Sequence, residues 1–178
     1  MYDDRVQFLI LGLLLQGPLS GYELRKQFTA GISLFYAASL GSIQRALGQL
    51  EAQGWVARRE SLVSGRRRHD YSITASGREA WRDWMLAPIA GSDAEQTALA
   101  KVYLLGSLTP GDRASSIDQL RRRAETDLGR LVALRAEIDV TAVPPQLRET
   151  ARFRLATLDY GIRAHELMVR WLNELEFS

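Results

Sequence analysis

The feature that most constrains the fold is a change in hydrophobic period at Gly54. Before it, apolar residues recur at helical spacing; after it, two short segments alternate. These segments are "WVARRESLV", residues 55–63, and "RHDYSIT", residues 68–74. They predict two strands joined by a turn at Ser64 and Gly65, which is a β-hairpin that follows directly on helices.

Helices are predicted on both sides of the hairpin. Residues 5–15 form the first, and Gly17 and Pro18 end it. Ser20 is placed to cap a second helix over residues 21–29.

Ser39 caps a third helix, which runs to about Gln53 with an apolar stripe along one side. Another helix starts at Thr74 or Ser76 after the hairpin and ends near Pro88. The order helix, helix, helix, strand, strand, helix is typical of a winged helix-turn-helix, in which the hairpin is the wing.

Positive charge is concentrated in this first half of the chain. Through Pro88 there are 11 Lys and Arg against 8 Asp and Glu, and the remainder of the chain has a net charge of −1. Arg66, Arg67 and Arg68 lie at or just beyond the hairpin tip. They indicate either a solvated surface loop or a contact with phosphate, and a turn can project arginine into a minor groove.

The third helix has a polar side opposite its apolar stripe. Gln44, Arg45 and Gln49 are long enough to reach base edges or phosphates. Gly41 and Gly48 lie on the same side, and each costs about 1 kcal/mol against alanine in a helix. They favour close approach to another surface, with an ordinary solvated face or a packing role as the alternatives. Together, helix, turn and wing favour DNA binding.

Three motifs carry a resemblance to a known family. They are "ILGLLLQGPLSGYEL" (residues 10–24), "GSIQRALGQLEAQGWV" (residues 41–56) and "YSITASGREA" (residues 71–80). At these residues the chain resembles PadR-family transcriptional regulators. The resemblance implies a dimeric transcription factor, often a repressor, that binds an inverted-repeat operator in double-stranded DNA.

The resemblance also assigns roles to individual residues. Tyr22 would face the DNA backbone from the second helix, and a ring packed between helices is the alternative. Gln44 stands where many members carry an aromatic residue, which leaves the base-reading pattern open. The implied DNA contacts are Tyr22, Ser42, Gln44, Arg45, Gln49, Arg66, Arg67, Arg68 and His69.

The second half is predicted to be helical over residues 97–108, 111–139 and 145–175. The last helix has a heptad seam at Ala151, Leu155, Leu158, Ile162, His165, Val169 and Leu172. It has a second apolar face at Tyr160, Leu167, Met168, Trp171 and Leu175. Two apolar faces need two partners, so we expect a neighbouring helix on one and a second subunit on the other, in a homodimer. The resemblance agrees, since one PadR subfamily has a large C-terminal helical domain that clasps the partner.

Other function classes find little support in the residues. The chain has no cysteine and two histidines, His69 and His165, so no histidine-based metal cluster, cofactor or enzymatic activity is expected. His165 is interpreted as a core or interface histidine. The apolar run over residues 8–15 is far shorter than the roughly 20 residues of a membrane span. A cytoplasmic protein is therefore expected.

Two further classes stay open. Some relatives bind aromatic compounds, and Tyr103, Tyr160 and Trp171 are candidates to line such an effector pocket, with a role in the core as the alternative. The other class is a protein-interaction module that has lost DNA binding, against which the arginine wing and Arg45 argue.

The predicted architecture is mostly α. Residues 1–88 form a winged helix-turn-helix with a two-stranded wing, and residues 89–178 form a helical dimerisation domain. In this hypothesis the dimer places two third helices in successive major grooves, and the wings hold the flanking backbone.

Overall fold

The computed structural model describes most of the 178-residue chain. The described residues are 5–34, 39–63, 66–91, 93–139 and 143–175. The chain is divided into two compact units, Met1–Ser116 and Ile117–Ser178.

The described elements follow the predicted order. The helices are α1 Arg5–Leu14, α2 Gly21–Ala30, α3 Leu40–Ala52, α4 Ala75–Leu86, α5 Ala94–Leu104, α6 Pro110–Glu137 and α7 Arg148–Glu174. The strands are β1 Leu19–Ser20, β2 Val56–Val63 and β3 Arg66–Ile73. Short 3-10 turns lie at Ile32–Leu34, Leu105–Ser107 and Pro145–Leu147.

Side-chain caps fix where the helices of the first unit begin. The Ser39 hydroxyl accepts a hydrogen bond from the Ser42 amide at 3.1 Å, and the Thr74 hydroxyl accepts one from Gly77 at 3.1 Å. At α2 the Ser20 hydroxyl likewise accepts from the Glu23 amide at 3.2 Å. Each cap satisfies a backbone donor that the first helical turn leaves unpaired. The predicted caps at Ser20 and Ser39 are confirmed, and of the two predicted starts for α4, Thr74 and Ser76, it is Thr74 that caps the helix.

The sheet has one strand more than predicted. β2 and β3 pair antiparallel from Val63 opposite Arg66 to Val56 opposite Ile73. β1 adds on the other side of β3, so the order is β1-β3-β2. β3 begins at Arg66, two residues earlier than predicted, so the arginines are part of the strand itself. The predicted turn at residues 64–65 lies outside the described residues.

α1 lies at the centre of the first unit. Most of its side chains are buried, and Phe8 stacks on Trp84 of α4 with ring centroids 4.9 Å apart. A Cβ added at Gly12 would lie 2.6 Å from Leu104 and 3.0 Å from Trp81. The absence of a side chain at Gly12 therefore allows α4 and α5 to approach α1 closely.

The first unit extends past the predicted domain boundary at residue 88. The Arg82 guanidinium of α4 donates two hydrogen bonds to the Asp112 carboxylate near the start of α6, each 2.8 Å long. The Ser116 hydroxyl donates to the Met85 carbonyl at 3.1 Å. These contacts place residues 89–116 in the same compact unit as the winged helix.

In the second unit, α6 and α7 pack against each other. The Arg135 guanidinium donates to the Asp159 carboxylate at 3.3 Å, and Leu131 lies 3.5 Å from the Cβ position of Gly161. The predicted heptad seam of α7 is half-buried throughout and fully buried at Leu172.

His165 lies in that seam and is half-buried. Its Nδ1 lies 2.8 Å from the Gly161 carbonyl oxygen, one helical turn earlier. Since a carbonyl only accepts, Nδ1 carries the proton in this bond. None of the helices in the described residues is long and apolar enough to span a membrane.

Candidate nucleic-acid interface

The outward side of α3 is polar and open. Its apolar stripe is buried at Ile43, Ala46, Leu47 and Leu50. On the opposite side Gln44, Arg45 and Gly48 are exposed. The helix therefore presents two long polar side chains, with a residue that has no side chain one turn further along.

The two glycines of α3 have room for a side chain. A Cβ at Gly48 would have no described atom within 4 Å, and one at Gly41 would lie 3.9 Å from the Ser39 hydroxyl. A Cβ at Gly77 would instead lie 2.2 Å from the Trp55 carbonyl oxygen. Packing within the described chain thus requires a glycine at Gly77 and not at Gly48, which leaves the face of α3 open to close approach.

Two predicted contact residues of α3 are bonded within the chain. Ser42 is half-buried, and its hydroxyl donates to the Ser39 carbonyl at 2.7 Å. The Gln49 side-chain oxygen accepts from the Gln7 amide of α1 at 3.0 Å. The Gln49 bond ties α3 to α1, whereas the Ser42 bond lies within the start of α3 itself. Gln7 was missed by the sequence analysis, although a glutamine inside an otherwise apolar helix was a readable signal.

Tyr22 lies at the start of α2 and its side chain is 75% exposed. The alternative of a ring packed between helices is therefore not what the structure shows. Arg25 and Lys26 are exposed three and four residues further along, on the same side of the helix. No local pattern in the sequence distinguishes Arg25 and Lys26 from other surface cations. Together with Tyr22 they form a polar and cationic surface on α2.

Strand alternation divides the wing arginines between two faces. Arg67 and His69 share one face, and both are exposed. The Arg67 side chain is 81% exposed, with its Nε 3.3 Å from the Glu60 carboxylate across the hairpin. The side chain of Arg66 lies outside the described residues.

Arg68 lies on the other face and is held by two carboxylates. Its terminal nitrogen donates to Glu23 Oε2 at 2.7 Å, and its Nε donates to Asp70 Oδ1 at 2.6 Å. Hydrogen bonds from the Ser20 backbone and hydroxyl, with Arg68 adding to them, hold the pKa of Glu23 below its ordinary value. Arg68 thus links α2 to β3.

The candidate effector residues belong to two different compact units. Tyr103 is exposed in the first unit, whereas Tyr160 and Trp171 belong to the second, exposed and half-buried respectively. Two open cavities described in the second unit lie between the end of α6 and the start of α7, and both are lined by Val143, Ala151 and Leu155. Neither cavity is lined by Tyr160 or Trp171. Across the described residues, no cluster of three potential metal ligands is found.

The fold and the exposed helix and hairpin define a winged helix-turn-helix protein with a helical C-terminal region. Residues 10–83 match the model of the Transcriptional regulator PadR-like family, and residues 95–176 match the Virulence activator alpha C-term model. Residues 10–83 of the chain therefore form a PadR-like family domain.

Relatives match over nearly the whole chain. The negative transcriptional regulator PadR of Bacillus subtilis is 24% identical, over 96% of this chain and 94% of its own length. A probable transcriptional regulator of Mycobacterium tuberculosis is 29% identical, over 93% of each chain. The crystal structure of Bacillus subtilis PadR in complex with operator DNA covers 95% of this chain and 94% of that one, at 22% identity and a TM-score of 0.44.

Proposed function

We propose that this chain is a homodimeric, sequence-specific DNA-binding repressor that recognises an inverted repeat. The observation that carries the proposal is the outward side of α3, where Gln44 and Arg45 project from a helix that has open space at Gly48. A helix of this kind fits a major groove, in which glutamine and arginine make bidentate contacts with adenine and guanine.

The remaining contacts are assigned to the DNA backbone. Arg67 and His69 reach phosphate from the wing, and Tyr22 reaches it from the start of α2. Arg25 and Lys26 extend this surface. Such contacts fix the register of the protein on the duplex and supply most of the salt-dependent affinity.

A second copy of the chain accounts for the outer face of α7. Phe153, Tyr160 and Leu167 are 66%, 74% and 60% exposed, and they recur every seven residues. Regular heptad spacing of large apolar side chains is suited to a helix of a partner subunit. A twofold dimer places two α3 helices about one DNA turn apart, which requires an inverted repeat.

Repression follows from occupying a promoter, and the name of the Bacillus relative, a negative regulator, supports it. A small aromatic effector that releases the DNA is part of the proposal, with Tyr103, Tyr160 and Trp171 as its candidate contacts. Its test is the addition of p-coumaric acid to the preformed complex, since that acid is bound in a solved structure of Bacillus subtilis PadR. Dissociation of the complex at unchanged salt supports release by an effector.

The proposal is tested by titrating the protein against the DNA upstream of its own gene, with random duplex as competitor and at two salt concentrations. We expect selective binding that weakens steeply as salt rises. If a well-folded dimer shows no shift at low salt, the chain is an interaction module that does not bind DNA.

Gly48→Ala tests, in the same DNA-binding assay, whether DNA occupies the open space beside Gly48 on α3. The added methyl group fills space that the DNA occupies, so we expect binding to weaken about tenfold or more. Gly129→Ala is the matched control, because Gly129 lies inside α6 with no described atom within 4 Å of its Cβ position.

Each substitution should raise the free energy of unfolding by about 0.5–1 kcal/mol, because alanine favours a helix over glycine. Only Gly48→Ala should weaken DNA binding. Unchanged affinity in Gly48→Ala would show that no DNA surface comes close to this side of α3.

A further inference from the structure

Arg68 stands apart from its neighbours because it contacts two different elements of the fold. Its guanidinium donates to Glu23 of α2, 45 residues away in sequence, and to Asp70 of its own strand. Charge-assisted hydrogen bonds of this length are among the stronger ones in proteins. The wing is thereby tied to the N-terminal turn of α2.

Glu23 both completes the N-terminal cap of α2 and binds Arg68. Its Oε2 accepts hydrogen bonds from the Ser20 amide and the Ser20 hydroxyl, each at 2.8 Å, and from Arg68 at 2.7 Å. The first of these completes the capping box that starts α2. β1 strengthens the same junction, because Ser20 pairs with Asp70 in the sheet.

The combined charge of Arg68, Glu23 and Asp70 is unfavourable for a phosphate contact. One arginine and two carboxylates carry a net charge of −1, so the positive charge of Arg68 is already neutralised by its own partners. Arg67 on the other face pairs with the Glu60 carboxylate, and its side chain is far more exposed. Adjacent arginines of the same strand are thus placed for different tasks.

We propose that Arg68 is a positioning residue, which sets the wing against the start of α2 and does not itself bind DNA. This inference rests on the proposed function, since it assigns Arg68 a role in holding Arg67 and Tyr22 at the spacing that the DNA backbone requires.

Glu23→Gln distinguishes a positioning role of Arg68 from a direct DNA contact, because the two roles predict opposite changes in DNA affinity. Glutamine retains the capping box, while the charge that holds Arg68 is lost. If Arg68 bound phosphate, removing a neighbouring carboxylate would free it and tighten DNA binding. Positioning predicts the opposite, a loss of affinity of about three- to tenfold.

The experiment measures DNA affinity, the melting temperature and amide hydrogen exchange of the free protein for Glu23→Gln, Asp70→Asn and Arg68→Ala. We expect weaker binding and faster exchange in β2 and β3 at a nearly unchanged melting temperature, because exposed ion pairs add little to global stability. The double variant of Glu23→Gln and Arg68→Ala should bind no more weakly than Arg68→Ala alone.

Glu60→Gln is the matched control on the wing, and it should not weaken binding. Unchanged or tighter binding by Glu23→Gln, with unchanged exchange in the wing, would overturn the positioning role. If the wild-type protein binds no DNA, the proposed function fails, and hydrogen exchange in the free protein still decides whether Arg68 holds the wing.

Discussion

Lys101 is one of two lysines in a chain that otherwise uses arginine for its positive charges. It is almost fully buried on α5, where its Nζ donates to the Ala87 carbonyl and lies 5.3 Å from the centre of the Trp84 ring. This hydrogen bond therefore holds the segment between α4 and α5 against α5. Its burial lowers the pKa of Lys101 to about 8.

The lowered pKa of Lys101 predicts that the folded protein becomes more stable as the pH rises above 8. Between pH 8 and the ordinary lysine value of 10.5, the unfolded chain holds a proton that the folded chain has lost. The free energy of unfolding should therefore increase across this window, by about 1–3 kcal/mol in all. Urea denaturation at several pH values measures it.

Lys101→Met is the control for the pH prediction, because it keeps the length of the side chain and removes the titrating group. Other alkaline titrations are common to both proteins, so their difference isolates Lys101. A rise of equal size in Lys101→Met would contradict the assignment.

At the scale of elements, α7 has two apolar sides with different surroundings. The predicted seam, which includes Leu155 and Ile162, is half-buried or buried, whereas Phe153, Tyr160 and Leu167 are exposed. The heptad spacing of the second set is what the proposed dimer depends on.

Tyr160→Glu places a charge in the middle of that exposed face, so it should shift the dimer to monomer. Light scattering after size exclusion measures the change. Asn173→Glu adds the same charge at an exposed position about 220° around the helix, and it should leave the dimer intact. A Tyr160→Glu protein that stays dimeric would place the interface elsewhere.

The order of the elements was predictable because caps and periodicity are local. Ser20 and Ser39 begin their helices as predicted, and Thr74 is one of the two starts predicted for α4. Gly54, which has a φ of 71°, ends α3 in a conformation that suits glycine. β1 was missed, since a two-residue strand has no period and forms only by pairing with β3.

The surroundings of individual side chains were harder to predict. Arg68 was grouped with Arg66 and Arg67 because adjacent arginines look alike in sequence, yet its partner Glu23 lies 45 residues earlier. Lys101 carried no local signal of burial. Such features depend on contacts between distant parts of the chain.

At the scale of the whole molecule, the chain combines a positively charged winged helix with a helical unit of nearly balanced charge. A net charge of +2 is too small to hold DNA by overall attraction, so binding depends on where the charges lie. In the proposed dimer, two copies would double every contact, and the spacing between the two α3 helices would be a property of the dimer.

The proposed function requires a dimer of this chain to read duplex DNA with two α3 helices. Hydroxyl-radical footprinting, on a duplex selected by the protein from random sequences, tests it most directly. We expect two symmetric protected patches on one face of the DNA, with centres about 34–36 Å apart, over an inverted repeat. A single patch, or protection without any selected sequence, would contradict it.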